Sequence, residues 1–501
     1  MIQSWQEFKT LHDQFALGHL DTETPCPLTQ NLSHEANNDP AKAWQSIFSV
    51  DFQMLEKLNE YSVKIETLSK DVKATLDQGG RIFLAGCGAT GRLSLSLEAI
   101  WRFLNKNDQV ISFMAGGDSA LIRAIERFED YPDLGARQLK ELGFTNKDLL
   151  IASSEGGETP FVIGAAIEAA NIGGKSWFNY CNPNSQLMLL KRCETILKDK
   201  RIQKISFVLG PQALSGSTRM QASTALMLVG GLALFFNEDS KSALKEITSK
   251  LANDLKQLNL NEWASLSKKE AALIDANQCV SYITPDDFGI CVLTDTTERG
   301  PTFSMTPFEH VDEPLDKPAL NYMAVESATD TSDAFFKILG HKPRTLDWPE
   351  LDGRANDARL NGFELTKARI SSRKIKSILA VLTCADDGFS LEIDGEIANA
   401  TSTDDHLLYK HLLLKMILNT HSTVLMGRLG RYEDNVMTWV RPSNLKLIDR
   451  TLRYSAYLLS RRNIKVDQNA LGEKLFLMLP KAQLDEPIVM RLVQSFSSDV
   501  R

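Results

Sequence analysis

The sequence predicts an α/β protein: a flavodoxin-like parallel sheet flanked by helices, a second and degenerate unit of the same kind, and a short helical C-terminal tail. Three observations carry this. Between residues 80 and 237 short apolar runs alternate with helical patterns, the rhythm of a parallel sheet. The first of those runs breaks at a glycine turn that opens straight into a helical pattern. A second strand-rich block, from 278 to about 400, follows a helical connector.

In order, residues 1–45 are polar and broken by proline turns (Thr24-Pro25-Cys26-Pro27, then Asn37-Asn38-Asp39-Pro40) and read as an arm that packs on a domain or on a second subunit. Phe48, Phe52, Leu55, Leu58 and Val63 recur at helical spacing across 41–78. Strands are expected at 82–85, 110–115, 149–153, 177–181 and 205–209, with helices between them, for example 160–170. Thr159 then caps the last of these and Pro160 takes its first position. The longest apolar run, 225–236, is too short to span a bilayer and contains Gly230-Gly231, so it reads as a buried helix. Residues 240–275 form the connector. The second block has strands at 280–283, 289–293 and 378–383, then helices at 406–430 and 445–460 and the tail. The expected domains are an arm at 1–45, α/β units at 46–250 and 260–440, and a helical segment at 441–501.

A chain of 501 residues has room for two or three domains. Its net charge of -8 argues against a nucleic-acid or anionic-membrane partner. Seven cysteines, an odd number with no C-x-x-C pair, suggest reduced cytoplasmic thiols and no zinc site. The first residues lack the basic-then-apolar pattern of a secretory leader. The eight histidines show no metal spacing, and His421 reads as a packed helix residue. No cofactor is expected.

The chemistry centres on RIFLAGCGATGRL (81–93). Strand, glycine turn and helix start present free backbone N–H groups and a helix N-terminus to an anion. Gly88, Ala89 and Gly91 shape the turn, and the Thr90 hydroxyl can bond a phosphate oxygen. The pattern Gly86-x-Gly88-x-x-Gly91 also suits a dinucleotide, but that reading wants an acidic residue at the end of the next strand. There the chain runs into Gly116-Gly117, and Asp118 lies too far along. Ligands of such sheets bind at the carboxyl ends of the strands. Two more loops at those ends are rich in hydroxyls: Ser153-Ser154-Glu155 through Thr159, and Leu214-Ser215-Gly216-Ser217 through Arg219. One such loop alone reads as helix capping; three together outline a small phosphorylated ligand.

Five stretches carry a resemblance: GCGATGRL (86–93), ALIRAIERFEDYPDLGARQLK (120–140), ETPFVIGAAIEAA (158–170), GPQALSGSTRM (210–220) and LKMILNTHSTVLMGRLGRYEDNVMTWVRPSNLKLIDRTLR (414–453). In these the chain resembles the sugar isomerase (SIS) domain family, in the branch of the N-acetylmuramic acid 6-phosphate etherases and the glucokinase regulatory protein. About 200 residues separate the S-G-S-T-R and L-N-x-x-S-T blocks, a layout similar to the regulatory protein with its two tandem SIS domains. The resemblance implies a phosphorylated sugar as ligand and a sugar kinase as candidate partner, in a monomer or a homodimer.

Etherases of this kind use two glutamates, because elimination needs a base for a proton and an acid for the leaving oxygen. Counted from Gly91, the first falls here on Ile100. Glu98, two positions earlier, faces about 200° away on a helix and does not substitute. The second matches Glu129, which becomes the expected sugar-binding carboxylate and the one candidate catalytic residue. Lys415 matches a family lysine and supplies a cation. The family pattern S-G-R-T-P reads here as Gly156-Gly157-Glu158-Thr159-Pro160, so a serine and an arginine are gone. Ser153 and Ser154 compensate, while Glu155 and Glu158 either bind sugar hydroxyls or point outward, since like charge repels phosphate. Arg92 and Arg219 are secondary and can pair with acids. The expected function is a sugar-phosphate sensor or regulator rather than an enzyme. The alternatives are an etherase-type lyase, with Glu155 or Glu158 replacing the lost glutamate, and a phosphosugar isomerase.

Overall fold

Five short strands make the first sheet. The computed structural model describes residues 4–11, 16–125, 128–313, 317–440, 442, 444–482 and 486–497. His12, Glu126 and Arg127 of the second resembling stretch, and Arg441 and Ser443 of the fifth, lie outside the described residues. The chain runs through α1 (Pro40–Leu58), α2 (Ser62–Asp77), β1 (Ile82–Gly86), α3 (Ala89–Asn105), β2 (Val110–Met114), α4 (Pro132–Glu141), β3 (Leu149–Ser153), α5 (Pro160–Ile172), β4 (Lys175–Tyr180), β5 (Ile202–Ser206) and α6 (Gln221–Phe235). The strand order is β2-β1-β3-β4-β5, all parallel. Alternate β1 side chains enter different cores: Ile82 and Leu84 face one apolar cluster, Phe83 and Ala85 the other. Burial on both faces explains why β1 and β3 read as near-continuous apolar runs.

Two helices, α7 (Ser240–Gln257) and α8 (Leu260–Asp275), form the connector. The second sheet follows, with β6 (Cys279–Thr284), α9 (Gly289–Phe303), β7 (Asn321–Val325), β8 (Ser377–Ala385), β9 (Gly388–Ile393) and β10 (Glu396–Thr401) in the order β10-β9-β8-β6-β7. Then come α10 (Leu407–Arg428), α11 (Leu445–Arg461) and two short tail helices, Gln468–Met478 and Ile488–Ser497. No helix among the described residues is long and apolar enough to cross a membrane.

Several expectations need correction. The second sheet is mixed, because β9 and β10 run antiparallel to their neighbours. The run 289–293, expected as a strand, opens α9; a five-residue apolar run has no period of its own to separate strand from helix. The fifth strand ends at Ser206 rather than 209. Val63, placed on the apolar face, is exposed at 64% and starts a separate helix. Thr159 occupies the N-cap position, but its hydroxyl bonds Ser154 rather than a helix N–H.

Helices α4 and α5 touch through glycines. A Cβ on Gly164 would run into the Pro132 carbonyl, and one on Gly135 into that of Phe161. Gly164→Ala is therefore expected to force the pair apart at a cost of about 1–3 kcal/mol, read from the urea midpoint. A neutral result would mean the helices are free to separate.

Candidate functional site

The glycine loop turns at the carboxyl end of β1. Gly88 has φ +54°, a left-handed conformation that favours glycine, and a side chain there would meet open space. Gly91 has another role: a Cβ on it would strike Met114, so glycine lets α3 lie against the end of β2. Because α3 begins at Ala89, its first N–H groups have no carbonyl within the helix to meet. The Thr90 hydroxyl is turned inward. It accepts from Cys87 N–H and donates to Cys87 C=O, both at 2.9 Å, and so closes the loop on itself.

Glu129 comes to this loop from the segment after β2. Its Oε2 accepts from the Cys87 thiol at 3.6 Å. Ser153 is buried at the end of β3. Ser154 takes the Gly157 N–H and the Thr159 hydroxyl, each at 3.1 Å. Glu155 is buried with one carboxyl oxygen unpartnered. Burial pushes its carboxyl up to about 8, Glu298 adds to this, and Lys446 and Lys415 oppose it. Glu158 has the opposite fate. Burial would raise it, but Lys446 at 3.0 Å and Arg192 at 2.6 Å hold it below the usual range. Its charge is therefore neutralised within the chain.

In the third loop Ser215 donates to the Glu23 carbonyl at 2.7 Å and bonds the Tyr454 hydroxyl at 3.1 Å, so it ties arm, loop and α11 together. Ser217 is buried with no partner for its hydroxyl. Lys415 reaches from α10 and donates to the Arg219 carbonyl at 2.9 Å and to Thr224 at 2.8 Å. Burial lowers its ammonium to about 8. Arg92 and Arg219 pair with acids, at 2.6 Å to Glu298 and 3.0 Å to Asp295.

Only some of these groups meet at a cavity where α3, α6, α9 and α10 come together; Thr90, Glu129, Ser153, Ser154, Glu155, Glu158, Ser215 and Ser217 are not among its lining residues. Ala89, Ser96, Arg219, Asp295, Glu298 and Lys415 line part of it. Its free space, about 20 Å³, is room for a water molecule and not for a sugar.

Sequence reasoning missed Lys446 and Glu298. Partial burial opposes the Lys446 charge, but Glu158, Glu129 and Glu23 around it hold its ammonium well above the usual range. It lies within the fifth resembling stretch, which was its only signal. Glu298 was hidden because the start of α9 read as a strand. Ile100 is core, and Glu98 is bound by Arg344, Arg102 and Ser112 at 2.6–2.8 Å. His421 is packed, with Ser267 at 3.0 Å and Glu270 at 2.6 Å.

A doubly wound sheet whose carboxyl-end loops join a glycine turn to buried hydroxyls is the frame of a phosphosugar protein. The sequence comparisons agree. Residues 64–170 match the glucokinase regulatory protein N-terminal SIS domain. N-acetylmuramic acid 6-phosphate etherases are similar: that of Bacillus subtilis is 30% identical over 270 residues, 54% of this chain and 82% of its own length. That of Pectobacterium atrosepticum is 34% identical over 215 residues, 42% of this chain and 67% of its own. Among solved structures, tagatose-6-phosphate ketose/aldose isomerase from Escherichia coli is 10% identical with a TM-score of 0.44, covering 83% of this chain and 97% of that one. The chain belongs to the SIS domain family, in the branch that holds the etherases and the glucokinase regulatory protein.

Proposed function

We propose that the protein is a cytoplasmic sugar-phosphate sensor of the regulatory-protein kind, built from tandem SIS domains at 46–250 and 260–440. The N-terminal arm and the segment from 441 close over the first of them. One observation carries the reading: the helix after the glycine loop offers the site no carboxylate. Ile100 fills the position of the first glutamate, and Glu98 is locked to Arg344 on the far side. The phosphate is held by the N–H groups of Gly88, Ala89 and Gly91, with Thr90, whose N–H is spent on the Cys87 carbonyl, and Ser153, Ser154, Ser215 and Ser217 shaping the loops around it. Glu129 takes sugar hydroxyls, and Lys415 and Lys446 balance the charge. The protein partner is a sugar kinase, whose contact with this chain the ligand alters.

A thermal-shift screen over hexose and hexosamine phosphates, the muramic form included, tests the binding. A ligand at 100 times its dissociation constant adds about 2.7 kcal/mol of stability. Glu129→Gln is expected to weaken that ligand about 10- to 100-fold, the worth of a hydrogen bond to a charged group. No shift with any sugar phosphate would sink the reading. Purified kinases that show no ligand-dependent binding would remove the partner.

The unpartnered carboxyl oxygen of Glu155 favours a second reading, an etherase-type lyase. A carboxyl held neutral near pH 7 can protonate a leaving oxygen while Glu129 acts as base. Turnover of N-acetylmuramic acid 6-phosphate that is lost in both Glu129→Gln and Glu155→Gln would establish it.

A further inference from the structure

The segment between β7 and β8 leaves its own sheet and crosses to the first unit. Arg344 N–H donates to Asp118 at 2.7 Å, and Asp118 N–H donates to the Arg344 carbonyl at 3.0 Å. The Arg344 guanidinium reaches both oxygens of buried Glu98, at 2.6 and 2.7 Å. Ser119 donates to the Ala355 carbonyl at 3.1 Å. Between these anchors, Leu346, Trp348, Leu351 and Ala355 enter the apolar core on one face of the first sheet.

Trp348 is the centre of this strap. One contact is Phe128, with ring centroids 5.7 Å apart and planes 19° from parallel; another is Arg137, whose guanidinium lies 3.8 Å from the ring centroid. Its Nε1 donates to Glu141 at 2.8 Å. Arg137 and Glu141 belong to α4, which follows the Glu129 segment, and Phe128 directly precedes Glu129. The ring therefore pins both sides of the short turn that carries the carboxylate. Phe128 also packs on Phe161 of α5, which leaves the turn little room to shift.

We propose that Trp348 is a positioning residue: the second unit, through this strap, holds Glu129 against the glycine loop and so sets the affinity for the sugar. The inference rests on the reading above, in which Glu129 binds the ligand. A long-range lever suits a sensor, because a movement of the second unit then reaches the ligand carboxylate through one stacked pair.

The test is titration calorimetry on the full chain with two probes, fructose 6-phosphate and N-acetylmuramic acid 6-phosphate, alongside melting curves. Trp348→Ala is expected to weaken the bound probe about tenfold or more. In a Glu129→Ala background the same change adds less than about twofold, because its effect passes through that carboxylate. Trp348→Phe, which restores a stacked ring, recovers affinity to within about threefold of the parent. Phe128→Leu keeps Trp348 but loses the stack, and weakens binding if the alanine variant fails to fold. A lowered melting temperature with unchanged affinity overturns the positioning role while leaving the ligand reading intact. Equal losses in both backgrounds overturn it as well. If neither probe binds the parent protein, or Glu129→Ala binds as well as the parent, the ligand reading itself falls and takes the lever with it.

Discussion

Replacing Arg299 with methionine is expected to lower stability by about 3–5 kcal/mol, the usual result of removing one partner from a buried ion pair. Arg299 is fully buried on α9. Its guanidinium donates to Glu270 at 2.6 Å, to the Tyr282 hydroxyl at 3.0 Å and to Asp295 at 3.1 Å. Asp295 continues to Arg219, and Glu270 to His421, so the network joins α8, α9 and α10 at the wall of the cavity. Without Arg299, Glu270 loses its main cation and Asp295 keeps only Arg219. Burial alone would raise Glu270; Arg299, His421 and Tyr282 overcome it and hold the carboxyl down to about 2. A depressed carboxylate stabilises the fold above its unfolded value, and that contribution fades as pH falls toward 2. Arg299→Lys keeps the charge but not the planar fork, and is expected to recover part of the loss. The readout is the urea midpoint at pH 7. A loss below 1 kcal/mol would mean that water replaces the guanidinium and that the network is not dry.

Glu155→Gln is expected to act in the other direction and to depend on pH. The native carboxyl is raised from 4.5 to about 8. Below pH 4.5 both folded and unfolded chains hold the proton. Between 4.5 and 8 the unfolded chain releases it while the native one does not, so stability falls as pH rises by up to about 1.4 kcal/mol per unit. By pH 8 the total is about 3–5 kcal/mol. Glutamine keeps the shape and carries no proton to lose, so the variant should match the parent near pH 5 and exceed it increasingly toward pH 8. Burial likewise raises Asp51 to about 7 despite its bond from Gln221, so part of the slope will remain. Parallel stability–pH curves for parent and variant would show that Glu155 is solvated after all.

Local patterns made much of this molecule legible. The strand expected at 149–153 is β3, and the glycine turn opens α3 at the carboxyl end of β1 as its spacing predicts. Such features rest on backbone conformation and on burial over a few neighbouring residues. The residue types of the candidate site were legible in the same way, but the direction of each side chain was not. Thr90, Ser154 and Ser215 carry the expected hydroxyls, yet all three turn them into the protein's own loops. Whether a hydroxyl caps its loop or faces a ligand depends on rotamer and neighbours, which residue type leaves open.

The sequence by itself determined the first parallel sheet, the glycine turn that opens α3, and the family. Only the tertiary structure decided what meets at the site. Lys446 neutralises Glu158 across 288 positions of chain, and Arg344 locks Glu98 across 246. Trp348 grips the Glu129 turn from the other unit. Pairings of this reach follow the path of the whole chain and the burial it creates, and no periodicity in the intervening residues encodes them.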